Sequence, residues 1–144
     1  MLTIDVEQAA FVITRKFPQL VRYVDWEASH PLRRIPETGE WEQCGPSWVP
    51  LWRPADIPQP TPEDLVAWWP EYKDEYELSE ASRQIRQRRD DLLVQADVLI
   101  ERAADDENLE LVAALRSYRK ALRAIPEQPG FPFDVQWPTL PNSA

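Results

Sequence analysis

The chain has 144 residues, 43% of them hydrophobic, and a formal net charge of −9. This length suits one ordinary domain, or a small domain with an ordered extension, and seven tryptophans argue against general disorder. The acidic excess argues against a nucleic-acid partner, because phosphate backbones select clustered Lys and Arg.

The first predicted element is a helix over residues 4–17. Its apolar side chains recur at helical spacing after Asp5, a suitable N-cap, and Pro18 ends the pattern. Residues 19–26 fit neither the helical nor the strand period cleanly, and we expect a short helix there.

Residues 30–70 are rich in proline and tryptophan. This composition disfavours long regular elements but supplies apolar ring surface, so we expect an ordered, irregular region over residues 27–70. Two exceptions are predicted. One is a hairpin turn around Thr38 and Gly39, and the other is a short helix from Pro62 to about Trp69 that Thr61 caps.

Residues 71–125 contain no proline or glycine, and their composition favours helix. We predict two helices, the first capped by Ser79 or Ser82, with a polar turn at residues 105–107 before the second. Each helix carries one narrow apolar stripe, formed by Ile85, Leu92, Ala96, Leu99 and Ala103 and by Leu111, Leu115, Tyr118, Leu122 and Ile125. Such stripes predict an antiparallel αα-hairpin over about residues 79–125, with the leucines at 92, 99, 115 and 122 buried.

The remaining tail, residues 126–144, is rich in proline and aromatic rings. Proline excludes helix here and predicts an extended or polyproline-like segment with a turn at Pro129 and Gly130. Phe131, Phe133 and Trp137 have two possible uses: they cover the hairpin, or they bind another protein. Covering is at least as well supported for Phe131 and Trp137.

The fold class that follows is mainly α, with a C-terminal helical hairpin, a Pro-rich extended tail and an irregular Pro- and Trp-rich N-terminal half. The shift in composition near residues 70–78 divides the chain into residues 1–76 and residues 77–144. The first part is a candidate partner-specific region.

Residues that carry chemistry are few. His30 is the single histidine and Cys44 the single cysteine, which excludes an intramolecular disulfide and leaves one conceivable Cys–His pair. An incidental histidine and an idle thiol explain them better. Paired carboxylates, such as Asp90 and Asp91, are ordinary on solvated helices, and we expect the arginines of residues 83–89 to form a salt-bridged face rather than a phosphate site. We therefore expect no catalytic site, no metal and no cofactor.

Other classes of protein are also disfavoured. No run of about 18 apolar residues is present to span a bilayer, and the first residues lack the features of a secretory signal. We expect a soluble protein of a reducing compartment without a membrane partner.

Two segments carry a family resemblance. RRDDLL at residues 88–93, followed by Asp97, and YRKALRAIPEQPGFPFDVQWPTLP at residues 118–141 resemble the C-terminal region of phage tail fibre assembly proteins, or tail assembly chaperones. The stretch between them departs from the family pattern, with longer helices and no tryptophan soon after Asp97. No resemblance is seen for residues 1–76.

The resemblance implies a non-enzymatic chaperone in the host bacterial cytoplasm. Such proteins bind the distal part of a trimeric tail fibre and assist its folding, trimerisation or attachment. The alternative is a small structural protein retained in the virion tail as an adaptor or adhesin. The expected partner-binding residues are Arg119, Arg123, Pro129, Gly130, Phe131, Phe133, Trp137 and Pro138.

Overall fold

The computed structural model describes residues 3–142, which form two compact units that divide between Tyr76 and Glu77. Helices account for about half of the described residues, so the mainly α class is confirmed. The elements are α1 Val6–Lys16, β1 Trp26–Ser29, β2 Leu32–Arg34, β3 Trp41–Gln43, β4 Trp48–Trp52, α2 Pro62–Asp105, α3 Leu109–Arg123 and a 3₁₀ turn at Ile125–Glu127.

Helix α1 begins as its sequence predicts. The Asp5 carboxylate accepts from the Gln8 N–H, and the Gln8 side chain accepts from the Asp5 N–H, both at 2.8 Å. This capping box satisfies donors that a helix start otherwise leaves open. The buried face of the helix packs in one cluster with Trp26, Leu65 and Trp69. The helix therefore anchors the core of the first unit.

Residues 19–26 are not helical, contrary to the prediction. They form turns and lead into β1 at Trp26, which is fully buried. Tyr23 has a left-handed φ of 68°, and the Asp25 carboxylate accepts from the Val21 N–H at 2.7 Å, so local bonds replace a helical ladder. Arg22 pairs with carboxylates, and although burial lowers the pKa of its guanidinium, the hydrogen bonds to Glu7 and Glu27 outweigh this and raise it.

The region at residues 27–70 is less irregular than predicted. Strands β1 and β4 pair antiparallel, with Trp26 opposite Trp52, and strands β2 and β3 pair antiparallel, with Arg34 opposite Trp41. Most prolines lie outside the strands, where they need not donate to a ladder, so they limit strand length without preventing pairing. The predicted hairpin turn is confirmed: Gly39 has a left-handed φ of 76°.

Helix α2 begins at Pro62 as predicted, and the Thr61 hydroxyl accepts from the Asp64 N–H at 3.1 Å. It does not end near Trp69 but runs through Pro70 to Asp105, so no new helix starts at residues 79–82. Proline removes one backbone bond and typically costs about 3 kcal/mol within a helix. Leu65 and Trp69, both buried in the core, hold the turn before Pro70 in place.

The second unit is built on the later part of α2 and on α3. Helix α3 begins after Asn108, whose side chain accepts from the Leu111 N–H at 3.1 Å; the preceding Glu107 has a left-handed φ of 56°. Ala103 clusters with Val112 and Leu115.

The predicted stripes lie within two adjoining clusters of this unit, and Ala96 clusters with Tyr118 and Leu122. Ala96 of α2 thus meets the later part of α3, and Ala103 meets its earlier part, so the two helices run antiparallel. Leu115 and Leu122 are buried, whereas Leu92 and Leu99 are half-buried and not fully buried as predicted.

Candidate partner-binding surface

Two hydrogen bonds between the side chain of Gln128 and the backbone of Gln136, which we call the Gln128 clamp, close a loop in the tail. The Gln128 side-chain amide donates to the Gln136 carbonyl oxygen and accepts from the Gln136 N–H, both at 2.8 Å. Residues 128–134 form turns. The 3₁₀ turn at Ile125–Glu127 precedes these residues, although the sequence predicted no helix after residue 125. The clamp closes this stretch into one ordered loop.

Gly130 lies at the predicted turn and is required there by close approach. The Asp134 N–H donates to the Gly130 carbonyl oxygen at 2.7 Å. A Cβ at position 130 would overlap the Asp134 carbonyl oxygen. Any other side chain would therefore force the loop open.

The inner side of the loop packs on the helices. Phe131, Val135 and Trp137 are half-buried against the cluster of Ala96, Tyr118, Leu122 and Ile125. The guanidinium carbons of Arg86 and Arg88 lie over the rings of Phe131 and Trp137, at 5.4 and 4.3 Å from the centroids. Such cation–π contacts are attractive and help to hold both rings.

These arginine contacts were missed from the sequence. The predicted salt-bridged face is present in part, since Arg89 pairs with Asp90 at 2.8 Å. Arg86 and Arg88, however, face aromatic rings of the tail, about 45 residues further along the chain. The surplus of arginine over acid at residues 83–89 was the available signal.

The outer side of the loop is exposed. Phe133 is 71% exposed, and Pro129 and Arg123 are also exposed. We call Arg123, Pro129 and Phe133 the outer tail surface. It presents an aromatic ring and a proline on the loop that the inner contacts hold, and a cation at the end of α3.

The eight predicted binding residues thus divide into two groups. Five lie at half-buried positions: Arg119, Gly130, Phe131, Trp137 and Pro138. Arg119 donates to the Asp97 carboxylate at 2.9 Å, so its guanidinium links α3 to α2. The other three form the outer tail surface. Binding by any of the eight stays a prediction.

Of the residues considered for catalysis, His30 and Asp90 have structural partners. His30 Nδ1 accepts from the Val6 N–H at 3.1 Å, and Cys44 is exposed. Asp90, one of the paired carboxylates, accepts from the Arg89 guanidinium at 2.8 Å. Within residues 3–142, no group of His, Cys, Asp and Glu side chains has a geometry suited to a metal ion.

In the described part of the chain, no helix combines the length and apolar character needed to cross a bilayer.

Two family models match the chain. Residues 82–142 match the family described as phage tail assembly chaperone protein. Residues 9–77 match the family described as XkdW protein, a resemblance that sequence reasoning missed. No curated protein and no solved structure matches the chain.

The resemblance inferred from the tail motif is confirmed. The matches support a role in phage tail assembly and point to interaction with tail proteins. The phage tail assembly chaperone family is in general non-enzymatic.

Proposed function

We propose that this protein is a tail fibre assembly chaperone, which binds the fibre protein in the host cytoplasm and assists its folding, trimerisation or attachment. Its role is binding without catalysis. Before assembly, fibre chains expose apolar surface and strand edges that favour aggregation. A partner with exposed rings and excess negative charge shields such surface and keeps the complex dispersed.

The observation that carries this proposal is the exposure of Phe133 on an immobilised loop. An aromatic side chain that is 71% exposed has most of its apolar area available for a contact. The Gln128 clamp and the packed rings of Phe131 and Trp137 have already restricted the backbone around it. Binding through Phe133 therefore costs little additional conformational entropy.

The exposed charge at the end of α3 is the second part of the proposed contact. Arg123, in the last turn of α3, is exposed, whereas Arg119 one turn earlier is paired with Asp97. A free cation at the edge of an aromatic contact accelerates encounter and selects a partner with acidic side chains nearby. Arg123 and Phe133 are thus the proposed contact residues for the fibre, and the inner residues hold the loop.

Co-expression with the tail fibre protein of the same phage or prophage tests the function. The yield of soluble, trimeric fibre is measured by size-exclusion chromatography, with and without this protein. We expect a high yield of soluble, trimeric fibre only when the fibre protein is co-expressed with this protein. An equal yield of trimers in its absence would refute a chaperone role.

The contact residues are tested in the same assay. Phe133→Ala is compared with Leu109→Ala, which removes a side chain that is 76% exposed at the start of α3. Phe133→Ala should lower the trimer yield, and Leu109→Ala should not. Equal yields from both variants would contradict the assigned contact.

A further inference from the structure

The hairpin arm, residues 31–44, contains strands β2 and β3, which within residues 3–142 pair only with each other. Within residues 3–142, no side chain of either strand belongs to a hydrophobic cluster; Leu32 is 49% and Trp41 66% exposed. A two-stranded hairpin without a packed face is marginally stable in water, and a third strand stabilises it. A third strand would therefore stabilise the arm.

The hydrogen bonds of the arm define where that strand would pair. Cys44 donates its N–H to the Pro31 carbonyl oxygen at 2.9 Å, and Ile35 donates to the Glu40 carbonyl oxygen at 2.7 Å. Backbone groups in an antiparallel ladder alternate, so those of Leu32 and Arg34 point away from β3. These outward N–H groups have no hydrogen-bond partner in the part of the chain that the structure describes.

Strand β2 offers the more accessible edge. All three of its residues are exposed, whereas Glu42 and Gln43 of β3 are half-buried, and the Gln43 amide donates to the Ile4 carbonyl oxygen at 2.8 Å. Pro31 directly precedes β2, and Pro36 follows it after Ile35. Because proline cannot donate to a ladder, the two prolines limit the edge to a short segment.

The charges of β2 indicate which side chains a strand added at its edge should carry. Arg33 pairs with Glu42 at 2.5 Å, but among the described residues no carboxylate pairs with Arg34, whose Nε donates to the Gly39 carbonyl oxygen at 3.2 Å. Leu32 and Arg34 lie on the same face, two positions apart. A second copy of this chain, paired antiparallel about Arg33 or Arg34, would set arginine opposite arginine, and like charges in opposed positions destabilise strand pairing.

We propose that the β2 edge binds an extended segment of another protein by strand addition. The segment carries an acidic residue opposite Arg34 and an apolar residue, two positions away, opposite Leu32. This site uses residues other than those of the outer tail surface. That the segment belongs to a tail fibre rests on the proposed function; the pairing itself does not, and a synthetic peptide tests it separately.

The test is a titration of the isotope-labelled full chain with the heptapeptide acetyl-Thr-Val-Thr-Glu-Thr-Val-Thr-amide, followed by NMR. Valines on both sides of the glutamate suit either strand direction. The matched peptide has lysine in place of glutamate. The glutamate peptide should shift the amide signals of Leu32 and Arg34 and slow their hydrogen exchange. It should bind about ten-fold more tightly than the lysine peptide, a difference of about 1.4 kcal/mol.

Two variants test whether the preference for the glutamate peptide depends on the charge of Arg34. Arg34→Gln keeps the backbone donor and should abolish the preference for the glutamate peptide. Arg33→Gln is the matched control, because that guanidinium is already paired with Glu42, and it should retain the preference. The proposal is overturned if the Leu32 and Arg34 amides do not respond to either peptide, if both peptides bind equally to the unmodified chain, or if raising the protein concentration alone shifts these amides.

Discussion

The side-chain amide of Gln128 makes two hydrogen bonds of 2.8 Å to the backbone of Gln136, one as donor and one as acceptor. The pair closes a loop in which Phe131 faces the helices and Phe133 faces solvent. The Gln128 amide therefore helps to hold a loop in which one ring stabilises the fold and the other stays available to a partner.

Gln128→Ala should loosen this loop. Both hydrogen bonds are solvent-exposed, so we expect a loss of about 1 kcal/mol in the free energy of unfolding. Gln136→Ala is the matched control, because the clamp uses only the backbone of that residue and its side chain makes one long, exposed hydrogen bond, of 3.4 Å to the Asp134 carboxylate. Urea denaturation of the three proteins measures the difference. Equal losses in both variants would show that the clamp does not stabilise the tail.

Leu115→Ala should strongly destabilise the second unit. Leu115 is buried with Ala103 and Val112, and replacing a buried leucine typically costs about 2–5 kcal/mol. Leu109→Ala, in the same helix but at an exposed position, should change stability by less than about 0.5 kcal/mol. Thermal denaturation separates the two. An unchanged melting temperature for Leu115→Ala would contradict the core assignment.

The ion pair of Arg119 and Asp97 should contribute little to stability. Both side chains are partly exposed, and such pairs are worth about 0.2–1 kcal/mol. A double-mutant cycle with Arg119→Ala and Asp97→Ala measures the coupling energy. Arg123→Ala, which breaks no ion pair with a described residue, should leave stability unchanged. A coupling energy of zero would show that the ion pair of Arg119 with Asp97 does not stabilise the fold.

Mass spectrometry of purified phage particles should separate a transient chaperone from a structural tail protein. A chaperone that leaves after assembly should be absent or present below the stoichiometry of the fibre. Recovery in a fixed ratio to the fibre would instead support the alternative, an adaptor or adhesin retained in the tail.

Local sequence signals predicted much of the fold. The Asp5 and Thr61 caps mark real helix starts, and the apolar stripe that includes Leu115 lies in the clusters of the second unit. The two caps and the spacing of the stripe each depend on residues only a few positions apart. The tail motif, with proline and glycine at fixed offsets, predicted the family model that residues 82–142 match.

The features that were missed depend on distant residues. The pairing of Trp26 with Trp52 requires two segments whose own patterns are irregular. Helix α2 continues through Pro70 because buried neighbours outweigh the lost hydrogen bond, which composition alone does not reveal. For the same reason, the sequence could not place Arg88 over Trp137, and it grouped inner and outer tail residues as one binding site.

The affinity of the purified protein for the fibre, measured by isothermal titration calorimetry, tests most directly whether the outer tail surface binds it. The combined variant Phe133→Ala and Arg123→Ala is compared with Leu109→Ala, after circular dichroism has shown that both are folded. We expect the combined variant to bind at least about ten-fold more weakly, a typical loss for an exposed aromatic anchor and its neighbouring cation, and Leu109→Ala to bind like the unmodified protein. Unchanged affinity in the combined variant would contradict the proposed contact.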